Sequence, residues 1–238
     1  MNKWQAELFD ALRDMPTPEQ VASRIAWATT ELGFDHYTYG LWAMLPLSNP
    51  TLDCIGNTPQ GWQTRYRQAR YAARDPVVTH ARRSLEPLVW TADLLDGDPE
   101  LQADASRFGI GSGWTRASVN AQGRRGLLTL TRSGAPLSAS ALQQKSSDLQ
   151  WLAYMAHFFL SDTLMRRHEP TACAELTQRE AEVLRWTGDG KTTGEISSIL
   201  SISDNTVNYY LKNAMAKLHA ANKTSAVVIA LTQGLLTY

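Results

Sequence analysis

Residues 191–219 read Lys-Thr-Thr-Gly-Glu-Ile-Ser-Ser-Ile-Leu-Ser-Ile-Ser-Asp-Asn-Thr-Val-Asn-Tyr-Tyr-Leu-Lys-Asn-Ala-Met-Ala-Lys-Leu-His, and they divide into two amphipathic helices with a short turn between. The first directs Ile196, Ile199 and Leu200 inward, and the turn Ser201-Ile202-Ser203 follows it. Ser203 or Asp204 then caps a longer helix, Asn205–His219, in which Val207, Leu211, Met215 and Leu218 share one face. The other face carries Asn205, Thr206, Asn208, Tyr209, Lys212, Asn213 and Lys217. Two short helices joined by such a turn form a helix-turn-helix. Amides on the second helix can bond adenine edges, and lysines can neutralise phosphates. A small helical bundle whose polar face is merely solvated fits the same pattern.

Upstream, Leu176-Thr-Gln-Arg-Glu-Ala-Glu-Val-Leu-Arg-Trp opens a helix: Thr177 can cap it and Glu180, three residues on, can close a capping box. Val183, Leu184 and Trp186 give it an apolar face, and Gly188 and Gly190 end it. Downstream, a helix over Lys223–Leu236 closes the core with Ala226, Val227, Ala230 and Leu231. Residues 176–238 are therefore predicted to be all helical. They hold six Lys/Arg against five acids, so charge alone does not mark a DNA binder.

The N-terminal part reads differently. Helices are predicted before Pro16, over Pro18–Leu32 with Gly33 as its stop, over Gln60–Ala73 and over Asp75–Arg83. Alternating aromatic residues from Phe34 to Met44, and the stretches Gly113–Val119 and Gly126–Arg132, read as strands. The order predicts an α/β domain, with helices flanking a mixed, mainly antiparallel sheet, over residues 1–165. Ser138–Leu164 is a long helical segment with Leu149, Leu152, Ala156, Phe159 and Thr163 on one side. Trp151, Tyr154, Met155, Phe158 and Leu160 widen its apolar surface, so packing on its own sheet and contact with a second subunit are both open. The polar stretch 166–175, broken by Pro170, reads as a linker, and 176–238 as the second domain.

Composition narrows the function. Of 238 residues, 43% are hydrophobic, which supplies a core and argues against disorder; 23 basic and 23 acidic residues leave no net charge for a general nucleic-acid coat. The first residues carry acids where a secretory signal would be apolar, and no apolar run reaches the roughly 20 residues of a membrane span, so a cytoplasmic chain is expected. Cys54 and Cys173 form no CxxC, and the five histidines have no metal spacing. Gly109-Ile-Gly-Ser-Gly lacks the last glycine of a dinucleotide fingerprint, and Ser112 has no nucleophile-elbow spacing. No metal, cofactor or catalytic residue is expected.

The C-terminal motifs, Leu-Thr-x-Arg-Glu-x-Glu-Val-Leu-x-Trp, Gly190-Lys-Thr with Glu195-Ile196, Ile199-Leu-Ser-Ile-Ser, Thr206-Val-Asn, Lys217-Leu and Asn222-Lys, resemble the DNA-binding domain of LuxR-type transcription regulators without a gap. Tyr210 departs from the family, which usually has His there, and implies a packing adjustment. In the N-terminal part Gly61-Trp62-x-x-x-Tyr66, Asp75-Pro-Val, Val89-Trp90 and Phe108-Gly-Ile-Gly-Ser-Gly113-Trp114 resemble the autoinducer-binding domain of quorum-sensing regulators. The clustered acids of a phospho-receiver domain are not seen.

The resemblance implies a double-stranded DNA partner, a homodimer, and an N-acyl homoserine lactone as ligand. Such a ligand needs an apolar pocket with a few converging polar groups. Asp75 is suited to accept the ligand amide N–H, Trp62 to donate to the lactone carbonyl and Tyr66 to the acyl carbonyl. Thr38 and Thr129 take the family's small hydroxyl positions, Trp90 packs on the lactone ring, and Gly113 permits close backbone approach. Thr58 and Arg116 depart from the family and leave acyl length open. For DNA, the resemblance points to Thr206 and Lys217 on phosphates and to Asn208, Tyr209 and Lys212 in the groove. Two other classes stay open: a ligand-independent protein that blocks other regulators, and an acyl-lactone or ester hydrolase, for which no nucleophile and base are found.

Overall fold

A computed structural model describes residues 3–13, 17–43, 47–48, 50–121, 123–168 and 175–236. Pro16, Pro170, Cys173 and most of the 166–175 linker lie outside these residues. The described residues divide into two compact units, those within 3–43, 50–120 and 124–167 in one and those from 168 on, with 47–48, 121 and 123, in the other.

The N-terminal unit is a five-stranded sheet with helices on both faces. Its strands are β1 (His36–Ala43), β2 (Thr51–Gly56), β3 (Leu88–Thr91), β4 (Ser112–Val119) and β5 (Arg125–Arg132), in the order β2-β1-β5-β4-β3. Every pairing is antiparallel. The three strands read from sequence occupy the centre, where both faces are covered and the alternation is strong. The edge strands β2 and β3 were not legible, because short, half-exposed strands carry little hydrophobic pattern.

One face of the sheet holds the main core. Helices α1 (Lys3–Leu12) and α2 (Pro18–Glu31) pack there, α2 being started by a Thr17–Gln20 capping box and stopped before Gly33 at φ 86°. The expected single helix 138–164 is two, α6 (Ala139–Gln144) and α7 (Ser146–His168). Leu149, Leu152, Ala156 and Leu160 of α7 join Tyr37, Tyr39, Leu128, Leu130 and Trp114 in one buried cluster. Within it the Tyr39 hydroxyl and His157 Nδ1 share a 2.7 Å hydrogen bond. On the solvent side of α7, Tyr154 and Phe158 are 63% and 60% exposed.

The opposite face is covered by α3 (Gln60–Gln68), α4 (Pro76–Arg83) and α5 (Pro99–Arg107). The helix expected over Gln60–Ala73 breaks after α3, because Arg70 takes a left-handed conformation at φ 52° and the chain resumes as a 3-10 turn, Tyr71–Ala73.

The C-terminal unit consists of α8 (Gln178–Gly188), α9 (Thr193–Leu200), α10 (Asp204–Lys217) and α11 (Lys223–Thr232) around Val183, Leu184, Ile196, Val207, Leu211 and Ala226. Capping boxes start α8 (Thr177–Glu180) and α9 (Thr192–Glu195), and Ser203 caps α10. Ile199 and Leu231, expected inward, are 44% and 57% exposed, because the helices on which they sit bury only the adjoining stripe.

Candidate functional site

Strand alternation sets the covered face of the sheet into rows. His36, Thr131, Gly113 and Trp90 form one row; Gly56, Thr38, Thr129, Thr115 and Leu88 the next; Cys54, Gly40, Leu127 and Ala117 the third. The face thus grades from polar to apolar along the strands. A Cβ on Gly113 would lie 2.5 Å from Cζ2 of Trp90, so glycine there lets the indole lie against β4. The close approach expected at Gly113 is therefore made by the protein's own Trp90. The Trp90 indole donates to Thr115 Oγ1 over 3.1 Å, and the Thr115 hydroxyl donates to Thr129 Oγ1 over another 3.1 Å. This directional chain leaves the Thr129 proton to point onward.

Facing the sheet, Trp62 and Tyr66 sit four residues apart on one side of α3, their rings 5.3 Å apart. Asp75 is the N-cap of α4: Oδ1 accepts the Val77 N–H at 2.7 Å, and Oδ2 accepts the Tyr66 hydroxyl at 2.6 Å. Burial pushes the Asp75 carboxyl above the usual range, against the lowering pull of the Tyr66 hydroxyl and the Val77 and Val78 amides. Burial and the adjoining carboxylate push the Tyr66 phenol well above its ordinary value, so it stays a donor. Asp75 thus combines a helix cap with the buried acceptor expected from its sequence position.

The structure brings Trp62, Tyr66 and Asp75 together on the helical wall, and Thr38, Trp90, Gly113, Thr115 and Thr129 together on the sheet. Thr58 is buried, and its carbonyl accepts from Gln63 Nε2 at 2.7 Å. Arg116 shares the parity of Trp114, on the other face from Thr115, and its Nε donates to the Leu85 carbonyl. It is thereby removed from the row where sequence position had suggested a pocket contact.

Sequence reading missed two residues. Thr115, fully buried, lies opposite Thr129, and only the register of β4 on β5 reveals it. Tyr71, also fully buried, stacks near Trp62 and Tyr66 at 6.3 and 5.7 Å. Its hydroxyl donates to Asp104 at 2.6 Å, which also pairs with Arg65. Arg65 and Arg74 further bridge to Glu100, at 2.6 and 2.5 Å, tying α5 down beside the site. The cap Asp98 followed by Pro99 was the available signal for α5.

In the C-terminal unit, Asn205, Asn208, Tyr209 and Lys212 stand exposed on α10, Tyr209 at 62%. The Thr206 and Ser203 hydroxyls are hydrogen-bonded at 2.8 Å. Tyr210 packs at the core's edge, its ring 5.7 Å from that of Tyr209. Lys217 differs from expectation: its Nζ lies 2.7 Å from Oε2 of buried Glu180 and donates to the Glu175 carbonyl at 3.1 Å. A buried carboxylate requires a partner, and this ammonium supplies it.

Among the described residues no group of His, Cys, Asp or Glu could hold a metal, and no helix is long and apolar enough to cross a membrane.

A helix-turn-helix unit that follows, in the same chain, an α/β domain with a small polar site on one sheet face defines a ligand-responsive regulator. Residues 17–160 match the autoinducer binding domain, and residues 174–230 match bacterial regulatory proteins of the luxR family. The chain belongs to this family of quorum-sensing, DNA-binding transcription regulators and is not an enzyme. It is 39% identical over 230 residues to the transcriptional activator protein SolR of Ralstonia nicotianae, covering 97% of this chain and 98% of SolR. It is 34% identical over 238 residues to the transcriptional activator protein AnoR of Acinetobacter nosocomialis, covering 99% and 100% of the two chains. The solved structure of SdiA in complex with octanoyl-rac-glycerol superposes with a TM-score of 0.82 at 31% identity, covering 99% of this chain and 96% of SdiA.

Proposed function

We propose that the N-terminal unit senses an N-acyl homoserine lactone and that a homodimer carries the response to a two-fold-symmetric operator. The observation that carries the ligand reading is the buried Asp75 carboxylate on the helices that cover the sheet face bearing the threonine row. An ionised carboxylate has about four acceptor positions, so the Tyr66 hydroxyl and the Val77 and Val78 amides of α4 leave one for a ligand N–H. The ligand's acyl carbonyl then takes the outward Thr129 proton. The single Tyr66 O–H can reach that carbonyl only by leaving Asp75. Trp62 serves the lactone carbonyl, Trp90 backs the ring, and Thr38 completes the row beside Thr129.

On α10, Asn208, Tyr209 and Lys212 enter the major groove and Thr206 holds a phosphate. Lys217, paired with Glu180, holds the helix to its own domain rather than the duplex. One such helix makes few phosphate contacts, so two copies share the site. Tyr154 and Phe158, exposed one turn apart on α7, supply the subunit contact. Action on the chromosome places the protein in the cytoplasm.

A second reading has its own support. The SdiA structure holds an acyl glycerol, which likewise joins an acyl chain to a small polar head. Mass spectrometry of small molecules that co-purify with the full chain separates the two: a homoserine lactone ring is expected, and an acyl glycerol in its place would overturn the lactone assignment. Sedimentation with ligand and operator should give a dimer; a monomer on a half-site would refute the symmetric operator.

A further inference from the structure

The third row of the covered face ends in a plug. Gly40 lies between Cys54 and Leu127, and a Cβ on it would sit 2.9 Å from Leu52 Cδ1 and 3.2 Å from Leu127 Cδ2. Two leucine side chains, from neighbours on either side of β1, therefore lean over the one residue that has none. Leu127 is buried together with Ala81 of α4 and Ala117 of β4, and Leu52 packs against that cluster. Arg125 fixes the lid of the plug: its Nε donates to the Ala81 carbonyl at 3.0 Å and its Nη2 to the Ser84 carbonyl at 3.2 Å. The end of α4 is thus held to the sheet where the leucines meet.

We propose that Leu52 and Leu127, converging over Gly40, close the acyl end of the ligand site and select short-chain ligands. The proposal rests on the acyl-ligand reading above. From Thr129, where the acyl carbonyl is placed, to Leu127 is two residues of one strand, roughly 7 Å. Carbon–carbon bonds of about 1.5 Å, laid in a zigzag, fill that distance with about six carbons. A longer chain must displace leucine side chains from a packed cluster, and close packing makes that unfavourable.

The test is a binding series on the full-length protein, with butanoyl-, hexanoyl-, octanoyl-, decanoyl- and dodecanoyl-homoserine lactones and the matching monoacylglycerols. Wild type should favour chains of four to eight carbons, with dodecanoyl at least tenfold weaker than hexanoyl. Leu127→Ala and Leu52→Ala should each move the optimum toward longer chains and narrow that ratio at least tenfold. Because the readout is a ratio within one protein, a general loss of stability does not imitate it. If Leu127→Ala does not fold, Leu52→Ala at a half-exposed edge-strand position carries the test. A flat length dependence in wild type, or an unchanged ranking in the variants, overturns the plug while leaving an acyl ligand in place. Binding of glycerols but no lactone overturns the lactone reading alone. Binding of neither series overturns both.

Discussion

The Tyr66 hydroxyl donates to one oxygen of Asp75 at 2.6 Å while the other oxygen accepts the first free amide of α4, from Val77, at 2.7 Å. One carboxylate therefore orients a wall of the ligand site and starts a helix. Asp75→Asn keeps a capping oxygen and removes the charge, whereas Asp75→Ala removes both. Each should weaken the ligand response about tenfold or more, and Asp75→Ala should cost an additional ~1 kcal/mol of stability through the lost cap. Dose-response curves and thermal unfolding of the two variants check this; equal ligand response in wild type and Asp75→Ala would refute the assignment.

The same carboxyl gives a pH prediction. Its folded value is raised by burial, so its contribution to stability is present below the unfolded value of about 3.9 and is lost as pH rises through the folded value. Asp75→Asn lacks this titration. The stability deficit of Asp75→Asn relative to wild type should accordingly shrink between pH 4 and pH 7 in denaturant titrations. A deficit that grows over that range would contradict the buried, raised carboxyl.

Thr115→Val should leave the buried Trp90 indole without its acceptor and Thr129 without its donor, destabilising the N-terminal unit by about 1–3 kcal/mol. Thr115→Ser retains both bonds and should recover most of the loss. Urea unfolding distinguishes the two variants, and equal midpoints for them would show that the hydroxyl chain contributes nothing.

Lys217→Met should leave Glu180 charged and buried without its partner and cost about 2–4 kcal/mol, as for a part-buried ion pair. Burial alone would raise the Glu180 carboxyl, but the bonds from Lys217 and Thr177 outweigh it and hold the group below its ordinary 4.5. This contribution is therefore present above the unfolded value and is lost as pH falls through the lower folded one. The Glu180→Gln, Lys217→Met double variant should recover part of the loss. Thermal unfolding at pH 7 checks the order; a fully stable Lys217→Met that loses only DNA affinity would return Lys217 to the phosphates.

Asn208→Ala should weaken operator binding by about 1–3 kcal/mol and relax preference at one base position. Lys212→Ala should reduce the salt slope of binding by about one unit. A panel of operator variants titrated at several salt concentrations separates the effects. Uniform weakening by Asn208→Ala across every operator would mean that α10 is docked in another register.

What the sequence by itself determined is local in its physics. A cap or capping box depends on residues three apart, and Thr177 and Ser203 each start the helix their neighbours announce. Central strands carry a period of two, so β1, β4 and β5 were legible, as were both motif sets that mark the family. Tertiary structure alone decided which of these residues meet. Thr38, Thr115 and Thr129 form a row because three strands far apart in the chain pair in one register, and a slip of one residue would turn each to the other face. Lys217 reads as a solvent-facing cation until Glu180, 37 positions away, is found buried beside it. Gly40 reads as a gap in a strand until leucines from two neighbours close over it. Burial of a charge and filling of a space are properties of neighbours brought by the fold, and no window of sequence contains them.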